Sequence, residues 1–241
     1  MNEQQSGHSI VFIHGSGDSA QTWRPLMQRL PDERCIALDL PGHGTEIANP
    51  GPERMGIADY AEAVRGELER RGLHDVYLVG HSLGSAIALH MALTLPALVR
   101  GIVLVGSGAR LRVAPQLLEV ARTNPADAST MLADWAFAPG HEAMARAYYA
   151  AQEPTAPGML YRDLAACDTF DMMADLGSIT QPALIVTGEA DRLTPPKYAT
   201  FLKEHLPHAT LAMIPDAGHY VAIEQPDAVA AAIRDWLAAL P

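Results

Sequence analysis

Short runs of apolar residues alternate along the chain with longer amphipathic stretches. The runs are HSIVFIH, RCIALDL, DVYLVGH, GIVLVGS, PALIVTG and ATLAMIP. A strand that is apolar at nearly every position is buried on both faces, which is typical of a parallel sheet covered by helices on both sides. The pattern therefore predicts an α/β fold with a mostly parallel sheet of about six strands.

One connection between these runs is much longer than the others. Roughly seventy residues separate GIVLVGS from PALIVTG, whereas a crossover between parallel strands needs only a few tens of residues. The extra segment has a helical pattern, with Pro115, Pro125 and Pro157 placed like first-turn prolines. We predict a helical cap of four helices over residues 108–178, inserted into a core domain formed by residues 1–107 and 179–241.

Composition and charge narrow the class of partner. The chain has 241 residues, 49% of them hydrophobic, and a net charge of −11 from 28 acidic and 17 basic residues. No cluster of lysine and arginine is present in the sequence, which disfavours nucleic acids and anionic membranes as partners. The sequence also lacks a long apolar run and a secretory signal pattern, so a cytoplasmic location is the default expectation.

The glycine-rich turn in IVFIHGSGDSAQTW has two interpretations. Gly15, Gly17 and Ala20 fit the loose spacing of a dinucleotide-binding loop, in which Asp39 at the end of the next strand would bind a ribose hydroxyl. His14 before the glycine instead suggests a loop that presents backbone N–H groups to a developing oxyanion. The turn alone leaves both interpretations open.

The segment VYLVGHSLGSAIALHMAL carries the most specific signal for chemistry. A buried strand turns through a G-x-S-x-G motif directly into a helix, and this sharp turn exposes Ser82 as a nucleophile. Gly80 and Gly84 flank the serine because larger side chains would collide in so tight a bend.

A serine nucleophile needs a base, and the base needs an acid that orients it. Loops after the last two strands supply Asp191 and His219, and the order Ser82, Asp191, His219 is that of an α/β-hydrolase triad. Asp168 and Asp171 are competing acids, but they do not follow a strand.

Several motifs together resemble the α/β-hydrolase superfamily, in its serine carboxylesterase and enol-lactonase-like branch, over nearly the whole chain. They are HGSGDSAQTW, DLPGHG, GHSLG, GEADRLTPP and AGHYVAIEQPDAV. The resemblance favours the oxyanion interpretation and implies that the backbone N–H groups of Ser16 and Leu83 form the oxyanion hole. It also implies that the first two strands of the usual sheet are missing, which would leave RCIALDL at a sheet edge and make a homodimer possible.

Substrate contacts are predicted from the cap and from the residue after His219. The candidates are aromatic or flexible apolar residues that could line an apolar pocket, namely Trp135, Phe137, Met131, Tyr148 and Tyr220. Glu189 and Arg192, on either side of Asp191, are interpreted as solvated loop charges.

The sequence as a whole predicts a serine hydrolase for a small to medium, mostly apolar ester, lactone or thioester. No metal or organic cofactor is expected, because the chemistry needs none and no cluster has metal-ligand spacing. Two alternatives stay open. One is a carbon–carbon bond hydrolase or enol-lactonase of a catabolic pathway, and the other is a ligand-binding receptor of the same fold with little turnover.

Overall fold

Six strands form one parallel sheet in the computed structural model, which describes residues 8–240. The strands are β1 (Ser9–Ile13), β2 (Arg34–Leu38), β3 (Val76–His81), β4 (Val99–Val105), β5 (Ala183–Gly188) and β6 (Ala209–Ile214). Their order across the sheet is β2-β1-β3-β4-β5-β6, and every neighbouring pair is parallel. The predicted fold class and the six predicted strands are confirmed.

Ten helices surround and extend this sheet within the described residues. They are α1 (Arg24–Met27), α2 (Ile57–Arg70), α3 (Leu83–Thr94), α4 (Pro115–Thr123), α5 (Pro125–Ala136), α6 (Glu142–Ala150), α7 (Met159–Thr169), α8 (Pro196–His205), α9 (Val221–Glu224) and α10 (Pro226–Ala238). Short 3₁₀ turns lie at Ala20–Trp23, Gly44–Glu46 and Leu176–Ser178.

The two faces of the sheet bury two separate apolar clusters. In β1, Val11 and Ile13 pack with helices α2, α3 and α8, whereas Ile10 and Phe12 pack with α1, α9 and α10 on the opposite face. This alternation follows from the two-residue period of a strand. It explains why the strand segments are apolar at nearly every position: both faces are covered.

The long connection between β4 and β5 contains four helices, α4 to α7. Pro115 and Pro125 occupy the first helical positions of α4 and α5, where a missing N–H group costs no hydrogen bond. Pro157 instead lies two residues before α7, which begins at Met159 after Gly158 in a left-handed conformation. The four helices are referred to below as the insertion, and their treatment as a separate cap domain stays a prediction.

Strand β2 lies at one edge of the sheet and pairs only with β1 among the described residues, as the resemblance implied. The question of two further strands before β1 concerns residues 1–7, which lie outside the described part of the chain. No helix within residues 8–240 is long and apolar enough to cross a membrane. The same residues contain no group of three or more histidine, cysteine and acidic side chains that could hold a metal ion.

Candidate active site

Ser82 lies in a strained turn between β3 and α3. Its backbone has φ 51° and ψ −110°, a conformation that L-residues rarely adopt. The turn also brings backbones together: a Cβ on Gly80 would lie 2.1 Å from the carbonyl oxygen of Gly84, and a Cβ on Gly84 would lie 2.2 Å from that of Ile13. Both motif glycines are therefore required by space, as the sequence predicts, and the strain holds Ser82 at the carboxyl end of the sheet.

His219 and Asp191 form a buried hydrogen-bonded pair beside this turn. His219 Nδ1 lies 2.9 Å from Asp191 Oδ2, and the two side chains are almost entirely buried. Because the carboxylate only accepts, Nδ1 donates, which leaves the His219 Nε2 lone pair available to take a proton. His219 and Ser82 line the same cavity, so the structure brings the three predicted residues together.

Three further donors hold the Asp191 carboxylate. The backbone N–H groups of Leu193 and Thr194 donate to Oδ1 at 2.9 and 2.8 Å, and the Thr194 hydroxyl donates to Oδ2 at 2.7 Å. Burial by itself raises the pKa of Asp191, but the charge of His219 and these hydrogen bonds outweigh burial and hold the pKa below its ordinary value. Asp191 is thus ionised and able to stabilise an imidazolium at His219.

His81 lies directly before Ser82 and packs against His219, but it cannot serve as the catalytic base. The two rings lie 4.7 Å apart, and His81 Nε2 donates to the His219 carbonyl oxygen at 3.1 Å. Burial, reinforced by the neighbouring His219, lowers the pKa of His81 to about 3, so this ring is neutral near pH 7. Its role is to support the loop that carries His219.

The proposed oxyanion donors come from the start of α3 and from the loop after β1. Leu83 is the first residue of α3, a position whose N–H group has no partner within its own helix. Ser16 precedes Gly17, whose N–H group donates to Asp163 Oδ2 at 2.9 Å. His14 fixes the other end of the loop, because its Nε2 accepts the N–H of Leu40 at 3.0 Å.

A cavity of about 270 Å³ opens beside Ser82 and His219. Most of its lining is apolar and comes from the insertion and the segment before it, including Leu111, Leu117, Leu132 and Leu164. Of the predicted substrate residues, Trp135 and Tyr220 line this cavity.

The other three predicted substrate residues lie elsewhere. Phe137 is buried in an aromatic cluster, where its ring stacks on that of Tyr220 at 5.0 Å. Tyr148 hydrogen-bonds Thr22 and Asp18 instead of facing the cavity. Met131 packs among the helices of the insertion. All three side chains serve packing or hydrogen bonding, and none of them lines the cavity beside Ser82.

Sequence reasoning missed several lining residues. They are Cys167, Tyr198, Arg112 and Arg192; Arg192, expected to be a solvated loop charge, is exposed and also lines the cavity. No local motif marks these residues, since their positions depend on how the insertion packs on the sheet.

The His219 loop is bound to the insertion through the end of α5. The carbonyl oxygen of Ala136 accepts the N–H of His219 at 2.6 Å. Glu224, buried below this contact, accepts the N–H groups of Gly218 and Ala138, each at 2.8 Å. The position of His219 therefore depends on both the core and the insertion.

Three features together define the α/β-hydrolase class of enzyme. They are a parallel sheet covered by helices on both faces, Ser82 at a strained strand-to-helix turn, and a histidine–aspartate pair beside it. The model of the alpha/beta hydrolase family matches residues 10–232. The chain belongs to this family.

Individual relatives are similar over nearly their full lengths. A pimeloyl-[acyl-carrier protein] methyl ester esterase of Neisseria meningitidis serogroup C is 29% identical, with 95% of this chain and 93% of the relative covered. A 2-(acetamidomethylene)succinate hydrolase of Mesorhizobium japonicum is 27% identical, covering 98% and 90%. The solved structure of a thermophilic esterase is 31% identical, covers 98% of this chain and 90% of its own, and has a TM-score of 0.79.

Proposed function

We propose that this protein is a serine hydrolase that cleaves a carboxylic ester, or the related lactone or thioester, of a small to medium, mostly apolar substrate. The observation that carries the proposal is the buried hydrogen bond between His219 and Asp191 beside a cavity that Ser82 also lines. The esterase names of two similar proteins support the same reaction class.

The proposed reaction assigns Ser82 as nucleophile, His219 as base and acid in turn, and Asp191 as the group that orients His219. Ser82 attacks the substrate carbonyl while His219 takes the serine proton, and the N–H groups of Ser16 and Leu83 donate to the resulting oxyanion. His219 then protonates the leaving group, which departs and leaves an acyl-enzyme on Ser82. Water hydrolyses that intermediate with His219 acting again as base and then as acid.

The test is the rate of hydrolysis of p-nitrophenyl esters from acetate to dodecanoate by the wild type and by Ser82→Ala. We expect wild-type turnover and a loss of kcat by a factor of about 10⁴ or more in the variant. Ser178→Ala changes an exposed serine outside the cavity lining and serves as the matched control. Equal rates for the wild type and Ser82→Ala would refute the nucleophile.

A catabolic lactonase or carbon–carbon bond hydrolase is the second candidate, because the chain is also similar to a hydrolase that is named for a substituted succinate and not for an ester. Turnover of lactones with inertness toward every simple aryl ester would favour it. A receptor of the same fold would instead bind its ligand equally well after Ser82→Ala.

We also propose that the exposed β2 edge pairs with a second copy of the chain. Light scattering at high protein concentration tests this, and a monomer would exclude the dimer. A cytoplasmic location and a lack of nucleic-acid or membrane partners stay predictions from the sequence.

A further inference from the structure

The cavity beside Ser82 differs in charge from the rest of the protein. The chain carries 28 acidic and 17 basic residues. Among the described residues, however, no aspartate or glutamate lines this cavity, and its two permanently charged lining residues are Arg112 and Arg192. A strongly acidic protein thus presents only positive fixed charge to a bound substrate.

Neither arginine forms an ion pair with a carboxylate within 4 Å among the described residues, although the hydrogen bond from Arg110 and, to a lesser extent, the charge of Arg112 lower the pKa of Asp171. The guanidinium of Arg112 donates to the backbone carbonyl of Asp168, and that of Arg192 donates to the carbonyls of Asp134 and Phe137. The ion pairs found within residues 8–240 include neither of them. By contrast, Arg110 lies two positions from Arg112 and is paired with Asp171.

These carbonyl contacts orient the two guanidinium groups but leave most of their N–H donors unused. Each arginine uses one terminal nitrogen in these contacts, and a guanidinium has five N–H donors. The contacts tie Arg112 to the last turn of α7 and Arg192 to the last turn of α5. The remaining donors are available for a planar anionic group, which guanidinium recognises with paired hydrogen bonds.

We propose that the substrate is an ester that carries a carboxylate separated by an apolar spacer from the reacting carbonyl, and that Arg112 and Arg192 bind this carboxylate. The inference rests on the proposed function and specifies its substrate class. The leucines of the cavity wall contact the spacer, while the arginines supply the charge that a neutral ester would leave unpaired.

The first experiment compares kcat/KM for matched pairs of p-nitrophenyl esters. The anionic members are the monoesters of succinate, glutarate and adipate, and each neutral partner has an isopropyl group in place of the carboxylate. A second pair carries the carboxylate on the alcohol side, as the butyrate ester of 5-hydroxy-2-nitrobenzoic acid against p-nitrophenyl butyrate. We expect at least one anionic ester to be preferred about tenfold or more, and the pair that shows the preference identifies the side of the ester that carries the charge.

The variants assign that preference to the arginines. Arg112→Gln and Arg192→Gln should each lower the ratio of anionic to neutral kcat/KM, the double variant should abolish it, and Arg192→Lys should restore part of it. Arg34→Gln removes the same charge from an exposed residue at the amino end of β2 and should leave the ratio unchanged. No preference in the wild type, or a preference that survives in the double variant, would overturn the proposal.

Failure of the proposed function gives a different result. Wild-type hydrolysis of neutral esters that is lost in Ser82→Ala, without any preference for a carboxylate, would refute only the anion site. If no ester is hydrolysed, calorimetric titration with glutarate still tests the site: binding to the wild type and not to the double variant supports it, and no binding to the wild type refutes it.

Discussion

Asn in place of Asp163 should weaken both the fold and the proposed oxyanion loop. Asp163 lies on α7 of the insertion, and its side chain is fully buried. Its carboxylate accepts the N–H of Gly17 at 2.9 Å, His43 Nε2–H at 3.0 Å and the hydroxyl of Tyr60. Burial by itself raises the pKa of Asp163, but these hydrogen bonds and the charge of His43 hold the pKa below its ordinary value.

The expected loss of stability follows from the charge and the hydrogen-bond acceptor that asparagine lacks. The amide keeps the size of the side chain but has one acceptor oxygen instead of two: an oxygen at the Oδ2 position keeps the Gly17 and His43 contacts, and the NH₂ group then faces the Tyr60 hydroxyl. Breaking a buried charged pair by changing one partner costs about 3–5 kcal/mol. We therefore expect Asp163→Asn to lower the free energy of unfolding by about that amount, measured by urea denaturation.

The activity should fall as well, because Gly17 adjoins Ser16. An uncharged amide oxygen holds the Gly17 N–H less strongly than the carboxylate does, so the Ser16 N–H is less firmly positioned toward the oxyanion and we expect kcat to drop by about tenfold. Tyr60→Phe is the matched control: it removes one donor from the same carboxylate but leaves the Gly17 contact, so stability should fall while kcat stays within about twofold. Wild-type kcat in folded Asp163→Asn, or equal kcat losses in both variants, would refute the link between α7 and the loop.

Two other substitutions test the local geometry. Gly84→Ala places a Cβ 2.2 Å from the carbonyl oxygen of Ile13 and should prevent folding. Gly66→Ala on α2 has nothing within 4 Å of the new Cβ and should raise the free energy of unfolding by about 0.5–1 kcal/mol. Similar urea midpoints for the two variants would contradict the steric argument. Burial raises the pKa of Asp18 to about 6 in the folded protein, so the unfolded chain releases this proton first and stability falls between about pH 4 and 6 by about 3 kcal/mol. Asp18→Asn should remove that loss. A difference between its urea midpoints at pH 4.5 and pH 7 as large as that of the wild type would contradict this prediction.

The fold and the proposed triad could be predicted because their signals are local. Each buried strand is apolar at consecutive positions, and the elbow motif reports a backbone clash that Gly80 and Gly84 avoid. Asp191 and His219 follow β5 and β6 directly, so the sheet alone brings them to the same edge as Ser82.

The walls of the cavity could not be predicted in the same way. Trp135 and Phe137 are both aromatic and two positions apart, yet Trp135 lines the cavity and Phe137 packs on Tyr220. What separates them is the orientation of α5 on the core, which residue type does not encode. Asp163 gives even less signal, because its partners Gly17 and Tyr60 are 146 and 103 residues away in sequence.

These contacts also bear on how substrate reaches Ser82. The insertion is tied to the His219 loop through Glu224 and to the oxyanion loop through Asp163, so moving it as a rigid body would break buried hydrogen bonds at both loops. The exposed lining residues, Arg112 and Arg192 among them, instead mark where the cavity meets solvent. Both arginines are exposed at this opening, so, on the proposal that they select a carboxylate, added salt should lower kcat/KM for anionic esters more than for neutral ones.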